Sequence, residues 1–106
     1  MNLTLNNQLI SIIKDYNINK AYVFGSFARN EETKESDIDL LIDTKDSRIN
    51  SLFDLGAMYE DLKKLTKRDI DLLTLDSLNE NSLDSDSDIL TNNIKKDMVL
   101  LYERER

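Results

Sequence analysis

Apolar and polar positions along the chain follow two periods, one typical of helices and one typical of strands. A first amphipathic helix is predicted from apolar residues that recur three or four positions apart: Leu5, Leu9, Ile12, Ile13 and Tyr16. Short apolar runs over 20–24, over 38–42 and within 68–76 predict three strands. A wide apolar stripe over 47–65 predicts a long helix before the third strand.

These elements predict an α/β fold in a single domain over residues 1–106. A short helix over 26–30 and a loop reverse the chain between the first two strands. The long helix makes the second and third strands parallel by a right-handed crossover, so the small sheet is expected to be mixed and packed with helices. A last helix over about 87–96 is expected, and then a short strand or a helix extension over 98–102.

Two breaks in this pattern carry candidate chemistry. Gly25 ends the first strand and Ser26 favours a helix N-cap, where free N–H groups can bind a phosphate. Asp37 and Asp39 stand two apart at the start of the second strand, so their side chains are expected to share a face. Adjacent carboxylates repel each other. The pair therefore predicts a compensating cation, and a divalent metal is the natural candidate.

Glycine and serine, ten further residues and then Asp-x-Asp form a specific pattern, carried by Gly25, Ser26, Ala28, Arg29, Asp37 and Asp39. It resembles the signature of the nucleotidyltransferase superfamily that includes DNA polymerase beta, in its minimal form. That resemblance implies a polymerase beta-like fold and transfer of a nucleoside monophosphate from a triphosphate, here ATP, to a hydroxyl. It also implies that Asp37 and Asp39 hold two Mg²⁺ ions.

Other site residues remain open on local sequence alone. Capping is a simpler role for Ser26 than phosphate binding, until the downstream aspartates are considered. Arg29 fits a nucleotide contact or an ion pair with the acidic loop over 31–35. Strand periodicity allows either Asp69 or Asp71 to face the first pair. The resemblance selects Asp71 as the third catalytic and metal-binding carboxylate, with Asp69 in an outer position, and Gly25, Ser26 and Arg29 as nucleotide contacts.

Composition limits the accompanying partners. The chain has 106 residues, 14 basic and 21 acidic side chains, a net charge of −7, and neither cysteine nor histidine. This balance argues against direct nucleic-acid binding, and the lack of histidine excludes histidine-based acid–base chemistry. No apolar run reaches membrane-spanning length and no signal peptide is seen, so a cytoplasmic setting without a membrane partner is expected. One small domain leaves little room for a lobe that encloses an acceptor.

Three functions fit these features. The first is a protein adenylyltransferase acting as an antitoxin, because the pattern resembles the MntA-type antitoxins that transfer AMP from ATP to a tyrosine of a HEPN-domain RNase toxin. The second is a small-molecule nucleotidyltransferase of aminoglycoside-modifying type, completed by a separate substrate-binding chain. The third is a non-catalytic module that blocks its partner by contact. Retention of all three aspartates argues against the third.

Three further segments have structural interpretations. Gly56, inside the long helix, is expected to allow that turn to pack closely on the sheet. The basic residues near the end of that helix favour its dipole or offer a docking patch: Lys63, Lys64, Lys67 and Arg68. The alternating aspartates over 84–88 resemble a calcium loop but lack its glycine and glutamate, so they are interpreted as the cap of the last helix.

Overall fold

In the computed structural model of the protein, residues 3–29, 31, 33, 36–75 and 98–105 are described. They form two helices and four strands in the order α1 (Leu3–Asp15), β1 (Lys20–Phe24), β2 (Ile38–Asp43), α2 (Leu52–Thr66), β3 (Ile70–Thr74) and β4 (Val99–Glu103). The expected α/β fold is confirmed. Of the two options for the C-terminal segment, the structure has the strand.

The four strands form one mixed sheet in the order β3-β2-β1-β4. β1 pairs antiparallel with both β2 and β4, whereas β2 and β3 run parallel, as the long connection between them predicts. β2 therefore lies inside the sheet and β3 at its edge. At one end of the sheet β1 finishes and β2 and β3 begin side by side. The candidate residues lie at this end.

The main core lies between the helices and one face of the sheet. α1 contributes the predicted apolar positions except Tyr16, which lies after the end of the helix and is partly buried. α2 contributes Met58 and Leu62. The sheet contributes buried residues from three strands: Ala21, Val23, Ile38, Leu40, Ile42 and Ile70. Burying each large side chain stabilises the fold by roughly 1.5–3 kcal/mol. None of the helices in the described part of the chain is both long and apolar enough to cross a bilayer.

Local hydrogen bonds determine where α2 begins and ends. The Ser51 hydroxyl accepts a bond from the Asp54 N–H at 3.4 Å, and the Asp54 carboxylate accepts one from the Asn50 N–H at 2.9 Å. At the other end Lys67 adopts a left-handed conformation, with φ of 58°, and its N–H donates to the Lys63 carbonyl. The helix thus starts after the predicted position 47, because the capping residue is Ser51.

Two expectations about helices need correction. In place of a short helix over 26–30, the structure has a turn over 25–29, in which the Arg29 N–H donates to the Gly25 carbonyl at 3.2 Å. Gly56 does not serve close packing on the sheet, since a Cβ added there would meet no atom of the described residues within 4 Å. The expected last helix over 87–96 and the acidic segment over 84–88 lie outside the described residues.

Candidate functional site

Two carboxylates lie next to each other at the end of the sheet where β2 and β3 begin. Asp39 is the second residue of β2 and Asp71 the second residue of β3, and the parallel register pairs these two positions directly. Asp39 is half-buried and Asp71 is exposed. Since residues opposite each other in a sheet point to the same face, the fold brings two acids together that are 32 positions apart in the sequence.

The surroundings of Asp39 favour its protonated form. Its pKa is raised to about 6, first by burial, then by a hydrogen bond with Asp71 and by the charges of Asp71 and Asp37. The charge of Arg29 lowers the pKa of Asp39 in part. Without a cation, Asp39 therefore keeps its proton to a higher pH than an ordinary aspartate does.

Gly25 lies directly against this acid pair. It follows Phe24, which is paired with Asp39 across the antiparallel strands, and it has a φ of 69°. A Cβ added at Gly25 would overlap the Asp39 carboxylate. Both the left-handed backbone and the close approach of the carboxylate require glycine here.

The turn over 25–29 is anchored in the core by Phe27. That side chain is 2% exposed, and it belongs to the same core as both helices. The turn is closed by the Arg29 N–H and by a 2.9 Å bond from the Glu31 N–H to the Ser26 carbonyl. These donors lie at the end of the turn. As in the first turn of a helix, its earlier N–H groups are those suited to bind an anion.

Arg29 makes contacts that fit both interpretations of the sequence. Its Nε donates to a carboxylate oxygen of Glu31 at 3.0 Å, and both side chains are exposed. Its charge also reaches Asp39, as the lowering effect on that pKa shows. Arg29 is thus an ion-pair partner of the acidic loop and a source of positive potential beside the acid pair.

Asp37 and Asp69 occupy equivalent positions, each just before a strand. Asp37 is exposed, and its charge raises the pKa of Asp39. The Asp69 carboxylate lies 3.8 Å from the Lys63 ammonium and is 78% exposed. β3 begins only at Ile70, so the assumption that Asp69 and Asp71 share one strand was wrong. The structure places Asp71, and not Asp69, against Asp39.

The contacts of the Arg68 side chain were not predicted from the sequence. It was grouped with the lysines at the end of α2, yet its guanidinium donates to the carbonyls of Thr33 and Ser36 and lies over the Phe27 ring. One signal could have indicated this role. The five residues after Arg68 repeat the five after Ser36, which predicts two adjacent strands whose preceding residues are neighbours.

A divalent cation fits the donor chemistry of this site. Asp39 and Asp71 present carboxylate oxygens, which Mg²⁺ prefers, and the raised pKa of Asp39 marks a place where a cation would relieve repulsion. Among residues 3–75 and 98–105, as far as they are described, no three acidic, histidine or cysteine side chains are arranged to hold a metal ion. The structure brings together two carboxylates that could bind a cation, and a metal site that includes Asp37 as a third ligand stays a prediction.

A cleft of about 620 Å³ opens beside Asp71. It runs along the edge strand β3 and the first half of α2, with mostly apolar lining: Phe24, Leu52, Leu55, Gly56, Tyr59, Ile70, Asp71, Leu72 and Leu73. Leu52 and the neighbouring Phe53 are 84% and 90% exposed, although the sequence predicted α2 as a sheet-covering helix. From Leu55 onward α2 does pack on the core, with Met58 and Leu62 buried and with Leu55 and Tyr59 partly buried.

Comparison with known families agrees with this geometry. Residues 7–106 match the family model described as polymerase beta, nucleotidyltransferase. The chain belongs to this nucleotidyltransferase family. The resemblance inferred from Gly25, Ser26, Asp37 and Asp39 is thereby confirmed for the family, and the matched region includes every candidate site residue.

Individual relatives narrow the comparison. The chain is 32% identical over 74 residues to the "Putative protein adenylyltransferase MJ0435" of Methanocaldococcus jannaschii, a match that covers 70% of this chain and 77% of the relative.

Two solved structures are similar in fold. A toxin–antitoxin structure with AMP-PNP has a TM-score of 0.68 at 22% identity and covers 94% of this chain and 74% of the other. A complex of tri-AMPylated Shewanella oneidensis HEPN toxin with an MNT antitoxin has a TM-score of 0.66 at 21% identity and covers 98% and 74%.

Proposed function

We propose that this nucleotidyltransferase moves AMP from ATP, with Mg²⁺, to a hydroxyl of a partner protein and thereby acts as an antitoxin. The observation that carries the proposal is the Asp39–Asp71 pair, set directly against the Gly25 turn. Support for AMP and for a protein acceptor comes from the relative named as a protein adenylyltransferase and from the similar solved complex, in which an MNT antitoxin is bound to an AMPylated toxin.

The turn over 25–29 binds the terminal phosphates in this proposal. Glycine at position 25 lets the backbone approach the ligand, and Ser26 supplies a hydroxyl and an N–H group. The buried Phe27 ring keeps the turn rigid, so its donors are oriented before ATP arrives. Arg29 adds positive potential where the triphosphate and the acid pair meet.

Asp37, Asp39 and Asp71 are the proposed metal ligands. Bound Mg²⁺ supplies positive charge that offsets the carboxylates and the triphosphate and stabilises the entering and leaving oxygens. The raised pKa of Asp39 supports this assignment, because burial and the neighbouring acids Asp71 and Asp37 disfavour its ionised form until a cation binds.

Asp71 has the position expected of the acceptor-side group. We call the turn over 25–29 the phosphate turn. At this end of the sheet the phosphate turn comes first, then Asp39 and then Asp71, so Asp71 lies on the side away from the turn. The acceptor oxygen forms a bond to the α-phosphorus while the bond to the β-phosphate oxygen breaks and pyrophosphate leaves. The proton of the acceptor hydroxyl passes to the Asp71 carboxylate.

The partner is proposed to be a HEPN-domain RNase toxin, with a tyrosine hydroxyl as acceptor. An RNase surface that binds RNA is basic, and this chain carries a net charge of −7, so the two surfaces are complementary. AMP on a tyrosine beside the RNase site adds bulk and negative charge against RNA. The modification would therefore silence the toxin.

Intact-mass spectrometry of the co-expressed partner tests the proposal. With Mg²⁺ and ATP the partner is expected to gain one or more AMP units and to lose RNase activity. Asp37→Asn is expected to bind the partner without modifying it. A fully inhibited toxin of unchanged mass would instead support the contact-only module.

One observation favours a second candidate. The cleft beside Asp71 has about 620 Å³, within the range of roughly 300–1,000 Å³ typical of small-molecule sites. A small hydroxyl compound of aminoglycoside type, held there with the help of a second chain, is the alternative acceptor. Transfer of labelled AMP to such a compound, with no mass change in any partner protein, would favour this alternative.

A further inference from the structure

Arg68 occupies a junction between three segments of the chain. It lies half-buried between the end of α2 and the start of β3. Its Nη1 donates to the Thr33 carbonyl at 2.9 Å and to the Ser36 carbonyl at 3.2 Å. Its guanidinium carbon lies 5.3 Å from the centroid of the Phe27 ring. One side chain thus contacts the acidic loop and the phosphate turn at once.

Each of these segments leads directly to a residue of the candidate site. Ser36 precedes Asp37, Phe27 lies two positions after Gly25, and Arg68 itself lies three positions before Asp71. The backbone continues the same connection, because the Ile38 N–H donates to the Asp69 carbonyl at 2.9 Å. A shift of the Arg68 side chain would therefore displace the starts of both β2 and β3, the strands that carry Asp39 and Asp71.

The two residues that accept hydrogen bonds from Arg68, Thr33 and Ser36, are also bonded to each other. The Thr33 N–H donates to the Ser36 hydroxyl at 2.8 Å, and the Ser36 N–H donates to the Thr33 carbonyl at 3.2 Å. These bonds orient the two carbonyls that accept from Arg68. The Ser36 hydroxyl is used within this loop.

We propose that Arg68 is a positioning residue of the transfer site, which fixes the phosphate turn relative to the strands that bear Asp39 and Asp71. This inference rests on the proposed function. Arginine suits the role because a planar guanidinium can donate in its plane to two carbonyls while its face lies on an aromatic ring. Lysine would keep the charge but not this combination of contacts.

Positioning predicts a kinetic effect that exceeds the loss of stability. Arg68→Met is expected to lower kcat for AMP transfer by about 10- to 100-fold, since a displacement of about 1 Å at reacting groups has effects of that size. The KM for ATP is expected to rise only a few-fold. Arg68→Lys is expected to fall between the wild type and Arg68→Met in kcat.

Two arginines elsewhere provide matched controls. Arg104 donates to two carbonyls of different residues, Asn17 at 2.9 Å and Asp46 at 3.1 Å. Arg48 donates to the Asp15 carbonyl at 2.8 Å and lies 5.8 Å from the centre of the Tyr16 ring. Arg104→Met and Arg48→Met therefore remove similar contacts away from the site, and both are expected to lower Tm while kcat stays within two-fold.

Hydrogen exchange of the free protein gives a readout that does not need turnover. In Arg68→Met the amides of Arg29 and Ile38 are expected to exchange about ten-fold faster, whereas in Arg104→Met they are expected to stay unchanged. If Arg68→Met does not fold, Arg68→Lys is compared in its place, with the same direction expected.

The outcomes separate this inference from the proposed function. Equal losses of kcat in Arg68→Met and Arg104→Met would overturn the positioning role, as would unchanged exchange at both amides in Arg68→Met. A wild type that transfers no AMP to any acceptor would overturn the proposed function alone. The exchange measurement would then still decide whether Arg68 holds the turn and the strands together.

Discussion

The pentapeptide Asp-Ile-Asp-Leu-Leu occurs twice, at residues 37–41 and 69–73, and the two copies lie side by side at the starts of β2 and β3. Their surroundings differ. β2 is an inner strand with four buried residues, whereas β3 lies at the sheet edge and only Ile70 is buried in it. The same local sequence therefore meets two different environments.

The difference gives the two central acids different properties. Asp39 is half-buried, closed in by Gly25, and has a raised pKa. Asp71 is exposed and lines the cleft beside α2. The identical motif thus supplies one acid that lies against the turn over 25–29 and one that lines the open cleft, where the proposed function places the acceptor. Neighbouring elements, and not the motif, set this division.

The largest expected effect separates Asp71 from Asp69. Asp71→Asn is expected to lower turnover by about 100- to 10,000-fold with a small change in ATP binding, because a group that accepts a proton acts mainly in the transition state. Asp69→Asn removes only an exposed ion pair with Lys63 and is expected to be mild. Rates of AMP transfer and the KM for ATP check both variants. A larger loss in Asp69→Asn would reverse the assignment.

The next largest effect is expected at Gly25, which encloses the Asp39 side of the Asp39–Asp71 pair. Gly25→Ala places a Cβ against the Asp39 carboxylate in a left-handed backbone, so we expect it to destabilise the protein by roughly 1–3 kcal/mol. It is also expected to weaken ATP binding. Urea denaturation and calorimetric titration with ATP measure the two effects. Wild-type values for both would show that this contact is not a constraint on the site.

A smaller effect follows from the pKa of Asp39. This pKa is raised from 3.8 to about 6, so the folded protein binds more protons than the unfolded chain between these values. The contribution of Asp39 to stability is therefore fully present at low pH and falls as pH rises toward about 6, by on the order of 1 kcal/mol once solvent screening is considered.

The free energy of unfolding of the wild type minus that of Asp39→Asn isolates this contribution. With a chelator present, the difference is expected to fall between about pH 4 and about pH 7. A difference that rises over this range would mean that the ionised form of Asp39 is the one stabilised in the fold.

The sequence predicted the fold well where periodicity determines it. The apolar stripe of α1 and the parallel pairing of β2 with β3 follow from spacing and from connection length. Gly25 and Asp39 were singled out by their spacing, and the structure places them in contact. These features depend on few residues close in sequence, or on rules of chain connection.

The rest depends on contacts between distant segments. Only the comparison of the two repeated segments, and no residue near Arg68 in sequence, indicates that its side chain reaches Ser36. No residue near Phe53 in sequence indicates that Phe53 stays exposed. A helical stripe shows which residues share a face, but not how far the sheet extends beneath that face. The first half of α2 lies beside the edge strand, which explains the overestimate of its buried surface.

The smallest expected effect concerns the open side of the pair, at Gly56. A Cβ there meets nothing within 4 Å, so Gly56→Ala is expected to stabilise α2 by up to about 1 kcal/mol through helix propensity alone. The exposed neighbour offers a mirror-image control, since Ala57→Gly is expected to lose a similar amount. Urea denaturation of both variants measures the two effects.

If Gly56→Ala destabilised the protein instead, the helix would need glycine for packing after all. A Gly56→Ala variant that is more stable but slower in AMP transfer, at unchanged KM for ATP, would mean that the acceptor needs the space at Gly56 in the cleft beside Asp71. The difference between the enclosed Asp39 and the open Asp71 would then extend to α2, the helix that connects their two strands.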